Sequence, residues 1–428
     1  MPNEPGKVTV RMYNVGFGDC FLVTFHYAPP LKDQHILIDF GSAGGAADLK
    51  RIALQIRHAC GGKLYAVVAT HRHKDHIGGF SDAGGAGSPG AIIASCKPEV
   101  VLQPWTENPD AGADATAAAL LGKNPPANPT HLFLASMNAT QAYAQAVVVA
   151  APRWRGAGGR VLAIEKLAAN NTTNPDAVRN LRTMGKQPPR FLQFGSPSGL
   201  EDDKLLPGVK VSVLGPPALQ QQNLKKYAKQ SGEYWLAARF WGLQQRAAAT
   251  AGNDLFPDEP RYDEGPMPFY VRWFIEHADS ALKKNALAIV TILDKFLNNT
   301  SLILLFQVKG RKLLFPGDAQ LENWQWALSR PGIADLLKDV DLYKVGHHGS
   351  RNATPKDLWS HFEKRRDRAL TTMMSTAAGI YGRSEDSQVP SANLVKALRS
   401  ESTLLNTQDL KGGKNPIVVE LELSAKKR

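Results

Sequence analysis

Residues 70–79 of the chain read THRHKDHIGG, a segment that places three histidines and one aspartate in the pattern H-x-H-x-D-H. The apolar residues 65–69, YAVVA, come directly before it and are typical of a buried strand. Imidazoles and a carboxylate together suit zinc, manganese or iron better than calcium or magnesium alone. The segment predicts ligands for two adjacent cations, because chance would rarely place such a polar cluster at the end of a buried strand.

The composition indicates a globular enzyme. Hydrophobic residues make up 43% of the 428 residues, and a chain of this length holds roughly two or three average domains or one elaborated domain. No apolar run approaches the length that crosses a bilayer, and the N-terminal sequence MPNEPGK lacks the apolar stretch of a signal peptide. The three cysteines, Cys20, Cys60 and Cys96, follow no metal-binding spacing, which indicates reduced thiols and favours a cytoplasmic location.

The formal charge of +12 at pH 7 has two interpretations. Basic residues cluster at 225–226, at 364–368 and at 426–428. Solvated surface and a basic tail would account for much of the excess. Attraction to a polyanion is the functional interpretation, with nucleic acid, a phosphorylated small molecule or an anionic membrane surface as the partner. Charge alone does not choose between the two.

The order of the predicted elements is that of an α/β protein. Apolar segments that alternate with glycine-containing turns predict an antiparallel meander near the N-terminus, and apolar residues at helical spacing predict a helix over 48–59. Two stretches, at about 106–206 and 218–285, break the pattern and are interpreted as insertions in a single domain spanning residues 1–428. The predicted strands lie at 8–12, 20–25, 35–40, 65–69, 100–102, 209–214, 301–308, 313–315 and 341–345.

Three other predicted strands also end in polar residues. Asp39 lies at the end of the strand 35–40, the sequence PGDA follows the strand 313–315, and GHHGS follows the strand 341–345. Because α/β folds place their sites beyond the carboxyl ends of strands, we expect these residues to meet the H-x-H-x-D-H segment at one site.

These motifs, taken in order, resemble those of the metallo-β-lactamase-like hydrolases. The finer resemblance is to the branch named for ComEC, a competence protein involved in DNA uptake, and it covers roughly residues 7–105, 207–217 and 297–420. Both insertions stay unmatched. The motifs of this branch are V-G-x-G-D at 15–19, L-I-D-x-G at 37–41, N-x-x-S at 298–301, G-D-A at 317–319 and K-V-x-H-H-G-S at 344–350.

The resemblance implies a four-layer αβ/βα sandwich with the metal centre at one edge, between two sheets. It also implies two divalent transition metals, zinc or manganese. One is held by His71 and His73, the other by Asp75 and His76, and Asp318 bridges them.

The same resemblance assigns roles to residues around the centre. His347 is the preferred further metal ligand. His348 is expected to contact a ligand or to transfer protons, and the reverse assignment of the two histidines is left open. Asp75 and His348 are therefore the candidate catalytic residues. Asp39 is expected to accept a hydrogen bond from a ligand imidazole, unless it is an ordinary turn aspartate. Ser350 and Asn352 would bind substrate oxygens or cap the next helix.

The chain departs from the family pattern at several positions. It has Asn14, Phe17 and Gly346 where family members usually have Asp, Gln and Pro, and Arg383 where the branch often has a histidine. Many superfamily members use another histidine between the first motif and the bridging aspartate. Only His131 and His277 lie in that interval, both inside the insertions and neither in a ligand motif.

The resemblance and the charge together predict a metal-dependent phosphodiesterase or nuclease whose partner is nucleic acid or a phosphorylated nucleotide substrate. A hydroxide activated by two metals would carry out the hydrolysis. Two alternatives stay open: a small-molecule hydrolase acting on a β-lactam, lactone or other ester, and a non-catalytic metal-binding sensor.

Overall fold

The computed structural model of the protein describes residues 4–43, 47–108, 170, 174–201, 206–217, 294, 297–377, 379–380, 388–410 and 415–423. The chain divides into two compact units. One comprises Met1–Asn108, Asn174–Ala218 and Leu297–Arg428, and the other comprises Pro109–Thr173 and Leu219–Phe296. All strands and helices given below belong to the first unit. That the chain is a single domain with two insertions stays a prediction.

The first sheet has seven strands in the order β13-β1-β2-β3-β4-β5-β6. The neighbours from β13 to β3 are antiparallel, and those from β3 to β6 are parallel. The consecutive strands β1, β2 and β3 are the predicted meander, and β13 adds an unpredicted strand at its edge. Its strands are β1 Lys7–Met12, β2 Cys20–His26, β3 Gln34–Phe40, β4 Ala66–Val68, β5 Val100–Pro104, β6 Arg190–Leu192 and β13 Ile417–Glu422.

The second sheet has six strands in the order β12-β11-β10-β9-β8-β7. Its β7-β8-β9 part is antiparallel and the strands from β9 to β12 are parallel, so each sheet joins a meander to a parallel half. Its strands are β7 Val209–Gly215, β8 Ile303–Val308, β9 Arg311–Phe315, β10 Leu342–Lys344, β11 Thr371–Met374 and β12 Thr403–Asn406.

The helices lie between these strands along the chain. Eight α-helices are described: α1 Leu49–Ala59, α2 Lys74–Ile77, α3 Pro89–Ala94, α4 Pro175–Thr183, α5 Leu321–Leu328, α6 Ile333–Leu337, α7 Lys356–His361 and α8 Ala392–Glu401. Short 3-10 helices span Gly78–Phe80, Gly85–Gly87, Trp105–Glu107, Gly346–Gly349, Glu363–Arg365 and Thr407–Asp409. No helix among the described residues combines the length and the apolarity that crossing a bilayer requires.

Two apolar clusters account for the layering. The facing sides of the two sheets share one cluster, in which Phe21 of β2 packs edge-on against Phe315 of β9 with ring centroids 5.8 Å apart. The outer side of the first sheet shares a second cluster with α1, α3 and α4. Beyond the second sheet, Tyr343 of β10 packs against Phe362 at the end of α7. These layers confirm the predicted α/β sandwich of two multistranded sheets and helices.

Helix α1 shows how local sequence sets an element. Asp48 caps its start by accepting a hydrogen bond from the backbone N–H of Arg51 at 3.0 Å. Ile52 and Ile56 lie one turn apart and are both buried under the first sheet. The helix ends at Cys60, where Gly61 and Gly62 take positive φ values of 57° and 71°.

The segment after residue 173 differs from the interpretation of 106–206 as one insertion. Helix α4 buries Ala177 and Leu181 in the cluster that holds α1 and α3, and β6 pairs in parallel with β5. Residues 174–206 therefore belong to the unit with the sheets. A strand of three residues carries too little periodicity to be recognised in the sequence.

Candidate metal centre

The H-x-H-x-D-H segment lies beyond the carboxyl end of β4, and its four side chains are buried. The backbone joins it to the second sheet, because the N–H of Leu302 donates to the carbonyl of Thr70 at 2.9 Å. Two strands of the second sheet deliver the other polar residues: Asp318 follows β9, and His348 follows β10. Both are fully buried. The strand ends thus bring together the residues that are distant in sequence.

One group of donor atoms surrounds His71. Its Nε2 lies 2.9 Å from Nδ1 of His73, and its side chain also forms a compact group with His76 and Asp318, whose ligand atoms lie within 4.8 Å of one another. Burial, together with the neighbouring His76 and His73, lowers the pKa of His71 well below its ordinary value. His71 is therefore neutral near pH 7, the state in which an imidazole binds a metal.

A second group contains Asp75, His76 and His348. The Nε2 atom of His348 lies 3.2 Å from Oδ2 of Asp75 and 3.4 Å from Oδ2 of Asp318. The Nε2 atom of His76 lies 3.0 Å from the same oxygen of Asp318. Asp318 Oδ2 therefore contacts both groups.

Four atoms of these groups are buried without a hydrogen-bond partner among the described residues: Asp75 Oδ1, His76 Nε2, Asp318 Oδ2 and His348 Nε2. Buried polar atoms in folded proteins are nearly always hydrogen-bonded, since leaving one unpaired costs about 1–3 kcal/mol. Nitrogen and carboxylate oxygen atoms that approach one another without hydrogen-bond geometry fit a transition-metal cation. These four atoms therefore fit a site for a transition-metal cation.

Asp19, Asp39 and His76 form a third compact group. In this group hydrogen bonds engage Asp39 and Nδ1 of His76, and Asp19 forms an ion pair with Lys344. Asp39 Oδ1 accepts from the backbone N–H of Thr70 at 2.7 Å, and Oδ2 lies 2.7 Å from the Thr70 hydroxyl and 2.8 Å from Nδ1 of His76. A hydrogen bond from Nδ1–H of His76 to Asp39 would leave Nε2 as the nitrogen available to a metal. This group orients an imidazole.

A buried lysine in the centre was given no role by the sequence. Lys344, the last residue of β10, donates from Nζ to Oδ1 of Asp318 at 3.2 Å and to the carbonyl of Gly317 at 2.9 Å, and it forms an ion pair with Asp19. Burial alone would lower the pKa of Lys344, but Asp19 and Asp318 raise it above its ordinary value. A charged residue inside the apolar run 341–345 was the available signal, because a buried lysine is almost always paired.

Two consecutive histidines after β10 take the left-handed backbone conformation, with φ values of 46° for His347 and 51° for His348. This conformation is strained for residues other than glycine, and it often marks functional sites. The turn sends the two rings in different directions. His348 is buried and its Nδ1 donates to the carbonyl of Ser375 at 3.0 Å, whereas His347 is half-buried with Nδ1 3.3 Å from Nε2 of Gln320.

The two histidines also differ in what they contribute to the groups above. His348 belongs to one of them, and His347 belongs to none. The backbone N–H of His347, however, donates to Oδ1 of Asp318 at 3.0 Å. The preference for His347 as the metal ligand thus has less geometric support than the reverse assignment, which the sequence left open.

Glycines allow two loops to lie directly on the ligand segment. A Cβ atom on Gly41 would lie 2.4 Å from the carbonyl carbon of Asp75, and one on Gly18 would lie 2.7 Å from the carbonyl oxygen of Asp75. The adjacent Asp19 donates its backbone N–H to that same oxygen at 2.9 Å. The V-G-x-G-D and L-I-D-x-G turns therefore hold Asp75 by backbone contact.

The remaining predicted residues lie at the edge of the centre or outside the described residues. The hydroxyl of Ser350 donates to Oδ1 of Asn352 at 2.7 Å, and both residues are half-buried. Neither caps α7, whose N-cap is Pro355. His131, His277 and Arg383 lie outside the described residues.

Comparisons with known proteins agree with this geometry at the level of the superfamily. A search of curated proteins finds no match to this chain. Residues 13–95, which contain β2, β3, β4 and the H-x-H-x-D-H segment, match the family model described as the metallo-beta-lactamase superfamily. This superfamily consists largely of hydrolases that bind divalent metals. The match and the buried histidine–aspartate groups together support a metal-dependent hydrolase with the fold of the metallo-beta-lactamase superfamily.

Proposed function

We propose that the protein is a phosphodiesterase or nuclease of the ComEC-type branch. Metal-dependent hydrolysis is supported by the four buried donor atoms that have no hydrogen-bond partner among the described residues. The observation that carries the choice of substrate is the position of two exposed basic residues, Lys74 and Arg351, in the chain segments that bear the donor atoms.

The proposed ligands would hold two cations, and Asp318 would contribute to both sites. When bound, such cations lower the pKa of a coordinated water to roughly 7 and polarise the oxygens of a phosphoryl group. Asp39 holds His76 in the required tautomer, and Lys344 fixes the other oxygen of Asp318. We assign one cation to His71 and His73 and the other to Asp75, His76 and His348.

The basic residues stand next to these ligands. Lys74 lies between His73 and Asp75 in the ligand segment, and Arg351 lies three residues after His348. A charge acts strongly only within about 10 Å in physiological salt. Basic residues in the ligand-bearing segments therefore attract an anionic substrate more effectively than clusters elsewhere on the surface. A phosphodiester, or the backbone of a nucleic acid, is an anion of this kind.

We also propose that the protein acts in the cytoplasm.

One observation favours a second candidate, a hydrolase of uncharged esters or lactams. Phe17 replaces the glutamine usual in the family, and its ring centroid lies 4.3 Å from that of His348. An apolar ring beside a ligand would suit the apolar part of a small substrate.

The test is a substrate panel with the protein loaded with zinc or manganese. Bis(p-nitrophenyl) phosphate, single- and double-stranded oligonucleotides, RNA and cyclic nucleotides represent the first candidate, and nitrocefin and lactones represent the second. We expect cleavage of at least one phosphodiester that is lost in Asp75→Ala. Cleavage of nitrocefin or lactones without any phosphodiester cleavage would replace the first candidate by the second.

A further inference from the structure

Two of the three cysteines lie side by side in the cluster between the first sheet and its helices. Cys60 follows α1 and Cys96 follows α3, and their Sγ atoms are 3.9 Å apart. Both are buried, with 3% and 0% of their surface exposed. The sequence separates them by 35 residues and gives no sign of this pairing.

The backbone holds the two cysteines in place from both sides. The N–H of Cys60 donates to the carbonyl of Ile56 at 2.9 Å, and the carbonyl of Cys60 accepts from the N–H of Lys63 at 3.0 Å. The next residue, Leu64, donates its N–H to the carbonyl of Cys96 at 3.0 Å. The segment after α1 is thus fastened directly to the residue that carries the second thiol. A disulfide bond is about 2.05 Å long, so closing the gap requires the sulfur atoms to move while these contacts hold the backbone.

The two thiols differ in chemical character. The hydrogen bond between them is the largest cause of the difference: it lowers the pKa of Cys60 to about 7 and raises the pKa of Cys96. A thiol with a pKa near 7 is partly ionised at neutral pH, and the thiolate is the form that reacts with oxidants. Cys60 is also the better placed, because it adjoins the turn formed by Gly61 and Gly62 at the surface.

We propose that Cys60 and Cys96 form a reversible intramolecular disulfide when the protein meets a peroxide, at a site separate from the metal centre. In the first step the Cys60 thiolate attacks one oxygen of hydrogen peroxide, the O–O bond breaks, and Cys60 becomes a sulfenic acid as one water leaves. In the second step the Cys96 sulfur attacks the Cys60 sulfur, the S–O bond breaks, and a second water leaves. The two thiols lose two electrons and two protons, and the peroxide is reduced to two waters. A thiol reductant reverses the reaction by exchange.

The third cysteine provides an internal control. Cys20 begins β2, is fully buried, and burial raises its pKa well above the ordinary value. All three cysteines lie within the described residues, and Cys20 has no thiol neighbour comparable to the pair. It should stay reduced under conditions that oxidise Cys60.

The experiment treats the reduced, folded full-length protein with hydrogen peroxide, blocks the remaining thiols with an alkylating agent under denaturing conditions, and measures intact mass and peptides. We expect the number of alkylated thiols to fall from three per chain to one, with Cys60 and Cys96 in one cross-linked peptide and Cys20 alkylated. Dithiothreitol should restore all three. In Cys96→Ser, Cys60 should stop at the sulfenic acid and be trapped by dimedone, while Cys20→Ser should form the disulfide as the wild type does.

Three results would overturn the proposal. They are three alkylated thiols after oxidation of the folded protein, a cross-link that involves Cys20 or a second chain, and equal dimedone labelling of Cys60 in the wild type and in Cys96→Ser. Each variant is checked for folding by circular dichroism. Activity toward phosphodiesters is not used as a readout, so the result is independent of the proposed function.

Discussion

Lys344 Nζ lies 3.2 Å from Oδ1 of Asp318, and this contact gives the two oxygens of the carboxylate different surroundings. Oδ1 also accepts the backbone N–H of His347, whereas Oδ2 has no hydrogen-bond partner among the described residues and lies 3.0 Å from Nε2 of His76. The lysine thereby holds Asp318 with one oxygen toward the donor atoms. A buried ammonium next to a cation site is electrostatically costly, and its ion pairs with Asp318 and Asp19 offset that cost.

Replacing Lys344 by methionine should disturb the centre without removing any proposed ligand. We expect kcat or the metal affinity to fall about 10–100-fold, because Asp318 would lose the donor that orients it. The metal-free protein should also lose about 3–5 kcal/mol of stability, since Asp19 and Asp318 would stay buried without a counter-charge. Metal titration and urea unfolding measure both effects. Lys50→Met, at an exposed position on α1, is the matched control and should change neither.

Purified protein should contain close to two transition metals per chain. Asp318→Ala should remove most of this metal and all hydrolysis while the fold is kept, because the proposed bridging carboxylate serves both cations. The control Asp335→Asn, on the exposed face of α6, should keep both metal and activity. Metal content is measured by plasma mass spectrometry after dialysis. Failure of the wild type to bind zinc or manganese under any condition would contradict the assignment of a metal centre.

The two neighbouring histidines should behave differently on substitution. His348→Gln is expected to lower the metal content, because its Nε2 lies 3.2 Å from Asp75 and has no hydrogen-bond partner among the described residues. His347→Gln should keep more of the metal than His348→Gln does, because His347 belongs to none of the compact donor groups and its backbone N–H contact with Asp318 survives the substitution. Metal analysis of the two variants decides between the assignments. Metal loss in His347→Gln alone would restore the preference that the sequence suggested.

Substrate charge can be tested through salt. If the substrate is a nucleic acid, KM for a long oligonucleotide should rise several-fold from low to physiological salt, whereas KM for a mononucleotide ester should change far less. Lys74→Gln and Arg351→Gln should raise KM for the oligonucleotide and flatten its salt dependence. Arg366→Gln, exposed in the segment 364–368, is the control. Equal responses of the long and short substrates would favour a small substrate.

His35, in β3, should make the free energy of unfolding depend on pH. Burial lowers its pKa from about 6.5 to about 4, a shift that Asp33 opposes and that His26 and Arg11 reinforce. The folded protein then binds fewer protons than the unfolded chain between these pH values, so stability is retained above pH 6.5 and falls as pH drops toward 4. Between pH 7.5 and 5 this group alone should cost roughly 1–2 kcal/mol.

The measurement is the free energy of unfolding in urea at a series of pH values. His35→Gln removes the titrating group and should make the loss of stability toward pH 5 smaller by that amount. Parallel curves for the wild type and His35→Gln would show that His35 titrates alike in both states.

Much of the architecture follows from short-range patterns. The strands β1, β2, β3, β4, β8 and β10 and the helix α1 are confirmed close to their predicted positions, because each carries the apolar periodicity of its own type within a few residues. The same holds for the placement of His71, His73, Asp75 and His76 beyond β4, since a ligand segment that follows a strand directly has little freedom in where it lies. Strand β6 escaped prediction because it depends on pairing with β5 more than on its own sequence.

What the sequence determined by itself was the order of the strands, the polar segments at their ends, and the class of chemistry those segments suit. Only the tertiary structure decided which of the two adjacent histidines, His347 or His348, points into the centre. The left-handed turn at His347 and His348 buries the ring of His348. The two adjacent histidines are the same residue type, so the sequence does not show which of them the backbone turns toward the centre. Contacts between Lys344 and Asp19, and between Cys60 and Cys96, join residues that are far apart along the chain. Patterns of neighbouring residues in the sequence do not predict such contacts, because the contacts form only when the two sheets and their helices pack together.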